Sequence, residues 1–206
     1  MDLPSKLLEK TVEYFESLPG VGRRTALRYA LQLLKMPKDE ANAFGEAISR
    51  LSKELKFCKV CHNISDHEIC QICIHPKRNQ NLICVVEDLR DLLAIEGTGQ
   101  FFGVYHVLGG VISPMDGVGP SELTIDSLVT RIESGSVSEV LFALPATTEG
   151  DTTCFYIFKK LKNAEVIITS LARGVAVGNE LQYTDEVTLG RSILGRLPFE
   201  NSLRSH

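Results

Sequence analysis

The chain has 206 residues, of which 44% are hydrophobic and 23% charged, with a formal net charge of -4. That composition fits a globular protein with a substantial core and excludes a disordered chain; no apolar run approaches the roughly 20 residues that span a bilayer. The acidic total conceals a split, because positions 1–80 carry 13 Lys and Arg against 10 Asp and Glu while positions 81–206 carry 9 against 16, so only the first part is suited to meeting phosphates.

The N-terminus has neither the basic nor the uninterrupted apolar segment of a secretory signal, and a cytoplasmic location is expected. Leu7, Leu8, Val12, Phe15 and Leu18 recur at helical spacing until Pro19-Gly20 breaks the pattern. A second helix is predicted from about Arg23 to Leu34. After Pro37, a third carries Ala41, Phe44, Ile48, Leu51 and Leu55 at alternating steps of three and four. Between the first two lies Leu18-Pro19-Gly20-Val21-Gly22, followed by Arg23, Arg24 and Arg28. Gly20 and Gly22 let the backbone approach a partner and leave amide N–H groups at the start of a helix, which is a seat for phosphate. Arg24 and Arg28 stand four apart and share a helix face, where they reach neighbouring phosphates without reading sequence. A bare PGxG turn is also ordinary punctuation between helices; the arginines after it distinguish the two readings.

Cys58-x2-Cys61 and Cys70-x2-Cys73 follow as two knuckles eight residues apart. Each puts two thiolates on a tight turn, and four thiolates close a tetrahedron around one structural Zn2+, leaving no place for water or substrate. Iron suits the same ligands. His62, His67 and His75 are surplus to that shell and are expected to be solvated loop residues. Cys84 and Cys154 fall in apolar segments and read as core.

From Leu82 the texture changes to short Val- and Ile-rich runs at 82–86, 105–108, 140–144 and 166–168, with helical patterns at 88–96, 124–134 and 152–162. Alternation of this kind predicts an α/β domain with an open, mostly parallel sheet. Glu87 ends the first strand, with Asp88 and Asp91 after it, and Glu149 and Asp151 follow the third. Ligand sites in such sheets favour the C-terminal strand ends. Glu87, Asp91, Glu149 and Asp151 are therefore candidates for holding Mg2+ or a partner protein, although acids at strand ends are often solvated caps. Beyond Ala172 the periodicity is weak until a helical pattern near 185–195.

Hairpin, cysteine cluster and acidic sheet in this order resemble the RecR family of bacterial recombination mediators, in which a helix-hairpin-helix, a four-cysteine zinc finger and a Toprim domain follow one another. Val86-Glu87-Asp88, His106-Val107-Leu108-Gly109-Gly110 and the tail from Arg173-Gly174 through Gly178-Asn179-Glu180-Leu181 to Gly190-Arg191 strengthen the likeness. Asp151 stands where the family commonly has glutamate, and Ala176 where proline is usual. The resemblance implies modules at 1–56 (DNA-binding helices), 57–80 (zinc finger), 81–176 (Toprim-like) and 177–206 (oligomerising tail). It also implies a ring-like homo-oligomer, dimer or tetramer, that binds DNA through Gly20, Gly22, Arg23, Arg24 and Arg28. With RecO and RecF, the family's members promote RecA loading at single-stranded gaps without catalysis. The alternative from the enzyme class is a Mg-dependent Toprim nuclease or primase-like protein; a third is a scaffold whose zinc and hairpin serve protein contacts alone.

Overall fold

A computed structural model describes residues 3–135, 137–176, 178, 180–196 and 198. The chain forms two compact units, Met1–Leu55 and Lys56–His206. In the first, α1 (Lys6–Glu16) starts at Ser5, whose Oγ accepts the N–H of Leu8, and α2 (Arg23–Leu33) starts at Gly22. Their turn rests on Gly20 at φ +79°, a backbone that favours glycine. Val12, Ala26 and Ala30 form a small buried core between α1 and α2, bordered by Leu8, Phe15 and Leu27. The third helix, α3 (Lys38–Glu54), forms as its spacing predicts but buries none of its residues. Its stripe of Phe44, Ile48 and Leu51 stays exposed, because periodicity specifies a helix face and not what covers it.

The second unit opens with a two-strand hairpin, β1 (Lys56–Phe57) and β2 (Ile64–Ser65), in which Phe57 faces Ile64. A short helix, α4 (Gln71–Ile74), precedes β3 (Asn79–Val86). There follow α5 (Leu89–Gly97), β4 (Gly103–Val107), α6 (Ile125–Glu133), β5 (Glu139–Ala143), α7 (Thr148–Lys160) and β6 (Ile167–Ser170). All strand pairs of the larger sheet are parallel, in the order β4-β3-β5-β6. Successive residues of β3 serve opposite cores: Ile83 and Val85 pack with Leu128, Val140 and Ile157 on one face, Cys84 and Val86 with Leu92 and Tyr105 on the other. A strand covered on both faces must be apolar throughout, which explains the unbroken run at 82–86. Cys84 is fully buried as expected, whereas Cys154 is only partly so. β4 is an outer strand, yet all five of its residues are buried.

One helix start differs from the sequence reading. α7 begins at Thr148, four residues before the apolar pattern, because Thr147 caps it by accepting the N–H of Gly150 at 3.1 Å. Glu149 and Asp151 therefore sit in a helical first turn, where carboxylates suit the helix dipole. The tail helix α8 (Glu186–Leu194) starts at Asp185, which accepts the N–H of Thr188 at 2.8 Å. Ser136, Val177, Asn179 of the tail motif, Leu197 and positions 199–206 lie outside the described residues.

Candidate metal centre, acidic edge and nucleic-acid interface

The two knuckles fold so that four thiols meet. Within the hairpin, Cys58 N–H donates to the carbonyl of Asn63 and His62 N–H to that of Cys58. Cys58 Sγ lies 4.0 Å from Cys73 Sγ, and Cys61 Sγ lies 3.5 Å from Cys70 Sγ. Among the described residues, this is the one set of three or more His, Cys, Asp or Glu whose ligand atoms all lie within 4.8 Å of one another. A tetrahedron with metal–sulfur bonds of about 2.3 Å has edges of about 3.8 Å, so the donor set fits zinc. Cys58, Cys61 and Cys70 are buried. Hydrogen bonding to Cys70 and Cys73, together with burial, holds the Cys61 thiol above its usual range while the cluster carries no cation. A bound divalent ion inverts that balance.

One neighbour of the cluster departs from expectation. His67 and His75 are exposed, but His62 is half-buried and takes φ +60°, the only non-glycine positive φ among the described residues. Its Nε2 lies 2.8 Å from Ser127 Oγ, and its ring meets His106 edge-on at 5.1 Å. His106 is fully buried with Nε2 3.0 Å from Thr124 Oγ1, and burial drives its pKa down to about 3. The backbone joins in, because Val107 N–H donates to the carbonyl of Cys61 at 2.8 Å. The knuckle is thereby tied to β4 and α6. No spacing rule flags a contact between His62 and a serine 65 positions away.

The four candidate acids do not converge on one point. Glu87 directly follows β3 and is half-buried, its pKa raised by burial and by Asp91 and Asp88. Asp88 caps α5 by accepting the N–H groups of Arg90 and Asp91, and its carboxylate also holds the Arg90 guanidinium. Glu149 is exposed, and Asp151 turns to Arg173. Glu87, Asp91, Glu149 and Asp151 form no set of convergent ligands. The physical reason is the Thr147 cap, which commits both later acids to α7, together with a cation already at Asp151.

On the first unit, Gly20 and Gly22 are open, with nothing near where a side chain would stand. α2 has no acidic residue in its first turn and no side-chain cap; two arginines stand there, against the helix dipole and in favour of an anion. Arg23 is engaged by Glu16 at 3.4 Å and Glu9 at 4.0 Å. Arg24 and Arg28 are exposed and carry no ion pair among the described residues. They line a shallow groove of about 280 Å³ with Leu27, Leu31, Gln32 and Lys35. Lys35, two residues beyond the end of α2, was missed.

Sequence models of known families match the chain in four consecutive blocks: RecR helix-hairpin-helix at 8–51, RecR four-cysteine zinc finger domain at 55–74, Toprim domain at 81–172, and RecR C-terminal at 174–197. Among curated relatives, "Recombination protein RecR" of Flavobacterium psychrophilum is 58% identical over 206 residues, covering all of both chains. The protein of that name from Flavobacterium johnsoniae is 54% identical with the same coverage. That of Bacteroides fragilis is 56% identical over 97% of this chain and 98% of its own. On this full-length similarity, the chain belongs to the RecR family of recombination proteins.

Proposed function

We propose that the protein is a non-catalytic, DNA-binding mediator of recombinational repair. The observation that carries this reading is the start of α2, where Arg24 and Arg28 stand exposed, without acidic partners among the described residues, beside an open glycine turn. Backbone amides after Gly20 and Gly22 hold one phosphate, Arg24, Arg28 and Lys35 its neighbours, and Arg23 adds to them when it leaves Glu16. Contacts of this kind bind DNA without base preference. Cys58, Cys61, Cys70 and Cys73 hold one zinc per chain, which supplies folding energy to a module too small for a core of its own. The protein works in the cytoplasm as a homo-oligomer, a ring-like dimer or tetramer, and with RecO and RecF promotes RecA loading at single-stranded gaps. In this reading 1–56 contacts DNA, 57–80 is the metal module, 81–176 is a Toprim body without chemistry, and 177–206 joins copies.

The test is the Arg24→Ala, Arg28→Ala double variant. Each phosphate contact contributes about 0.7 to 0.9 to the slope of log K against log salt, so the slope should fall by about 1.4 to 1.8 for each hairpin engaged. Affinity should fall equally on unrelated sequences, with zinc content and melting temperature retained. A folded variant with native affinity and salt dependence places the DNA site elsewhere.

A further inference from the structure

A Toprim domain carries the expectation of a divalent cation on its acids, and here the four candidate acids do not converge. We infer that Arg173 and Arg191 serve as built-in counter-cations at Asp151, closing that carboxylate to a divalent ion and fastening the C-terminal segment to the sheet. Parallel strands β5 and β6 end at the same edge, so the chain leaving β6 passes the start of α7, where Asp151 sits. There Arg173 Nη2 lies 2.5 Å from Asp151 Oδ1 and Arg173 Nη1 3.2 Å from Oδ2, with Arg191 Nη2 3.8 Å from Oδ2. Both carboxylate oxygens are thus engaged in the fork geometry that guanidinium favours.

The two arginines come from different parts of the segment. Arg173 lies three residues after β6, and Arg191 lies in α8. Asp151 is therefore a common anchor for a stretch whose other visible attachment is a partly open cavity of about 500 Å³, lined by Phe142, Leu144, Cys154, Arg173, Val187 and Arg191. Arg173 lowers the Asp151 pKa, with Arg191 adding to the effect, so the carboxylate is charged at neutral pH and its need for a cation is already met. A metal can bind there only by displacing a bidentate guanidinium.

The experiment uses full-length, zinc-loaded protein and Mn2+ alone, followed by the electron paramagnetic resonance signal of the free ion. The Arg173→Gln, Arg191→Gln variant should bind Mn2+ at least tenfold more tightly than the native chain, and adding Asp151→Asn should abolish the gain. Hydrogen exchange read by mass spectrometry should show residues 180–196 losing protection in both Arg173→Gln, Arg191→Gln and the single Asp151→Asn variant, while β3 and β5 keep theirs. Tight Mn2+ binding by the native chain that Asp151→Asn removes would overturn the inference. So would a folded double variant that gains no Mn2+ site, or one whose segment 180–196 exchanges at the native rate. None of these readouts involves DNA.

Discussion

His62 gives the sharpest test of how the metal module is held. It occupies a left-handed backbone with a β-carbon present, at a cost of roughly 1 kcal/mol, and regains that through its contacts with Ser127 and His106. Ser127→Ala removes one hydrogen bond, worth about 1 kcal/mol. His62→Ala removes that bond and the ring contact but keeps the strain, a loss of about 1.5 to 2 kcal/mol. His62→Gly loses the same contacts yet relieves the strain. Glycine's added freedom in the unfolded chain offsets part of this relief, so it should be milder than alanine by roughly 0.5 kcal/mol. If zinc escapes by opening of the knuckle, each 1.4 kcal/mol is about tenfold in rate. Transfer of zinc to a saturating chromogenic chelator should then be about fivefold faster in Ser127→Ala and about twelve- to twenty-fivefold faster in His62→Ala, with His62→Gly between them. Lys59→Ala, which breaks an exposed pair with Glu68, should match the native rate. A native rate in Ser127→Ala, or a glycine variant worse than alanine, refutes the reasoning.

Three further outcomes are expected. Fresh protein should contain one zinc per chain by elemental analysis, and Cys58→Ser or Cys73→Ser should lose it; a preparation without zinc or iron removes the metal centre. A β-carbon on Gly150 would stand 2.0 Å from the Pro145 carbonyl oxygen, so Gly150→Ala should cost roughly 3 kcal/mol and several degrees of melting temperature, and a melt within a degree of native contradicts the packing. The His106 pKa is depressed to about 3 from 6.5, so the unfolded chain takes the proton first. Its contribution is complete above pH 6.5 and is lost, by up to about 1.4 kcal/mol per pH unit, as pH falls toward 3. His106→Gln should therefore lose stability less steeply between pH 6 and 5 in denaturant titrations, and equal slopes would falsify the assignment.

The parts legible in the sequence share a local cause. Helices α1 to α3, the four strands and the knuckles follow from periodicity and spacing, because each is decided by residues within a few positions. What escaped is decided by tertiary neighbours. The sequence placed His62 in a solvated loop, and only the approach of α6 and β4 gives it partners. It offered four acids for one ion; a threonine cap and an arginine 22 residues away direct Asp151 elsewhere. The apolar spacing on α3 predicts the helix, yet nothing local reports whether its stripe is covered.

The outer position of β4 has a consequence for how the protein fails. An edge strand normally offers free N–H and C=O groups that a strand of another molecule can extend, and β4, short, Val-containing and buried along its length, would be a dangerous template. Three of its carbonyls and one of its N–H groups are already taken. Tyr105 O accepts from Arg131 at 2.8 Å, Gly103 O from Arg78 at 3.3 Å and Val107 O from Thr124 Oγ1 at 2.8 Å, while Val107 N–H is spent on Cys61. The Cys61 bond comes from the knuckle itself, and Arg78 stands five residues beyond Cys73. Stripping the metal thus uncovers part of the most aggregation-prone edge in the fold. Metal-depleted protein should be lost to β-rich precipitate, visible by light scattering, before it is lost to simple unfolding.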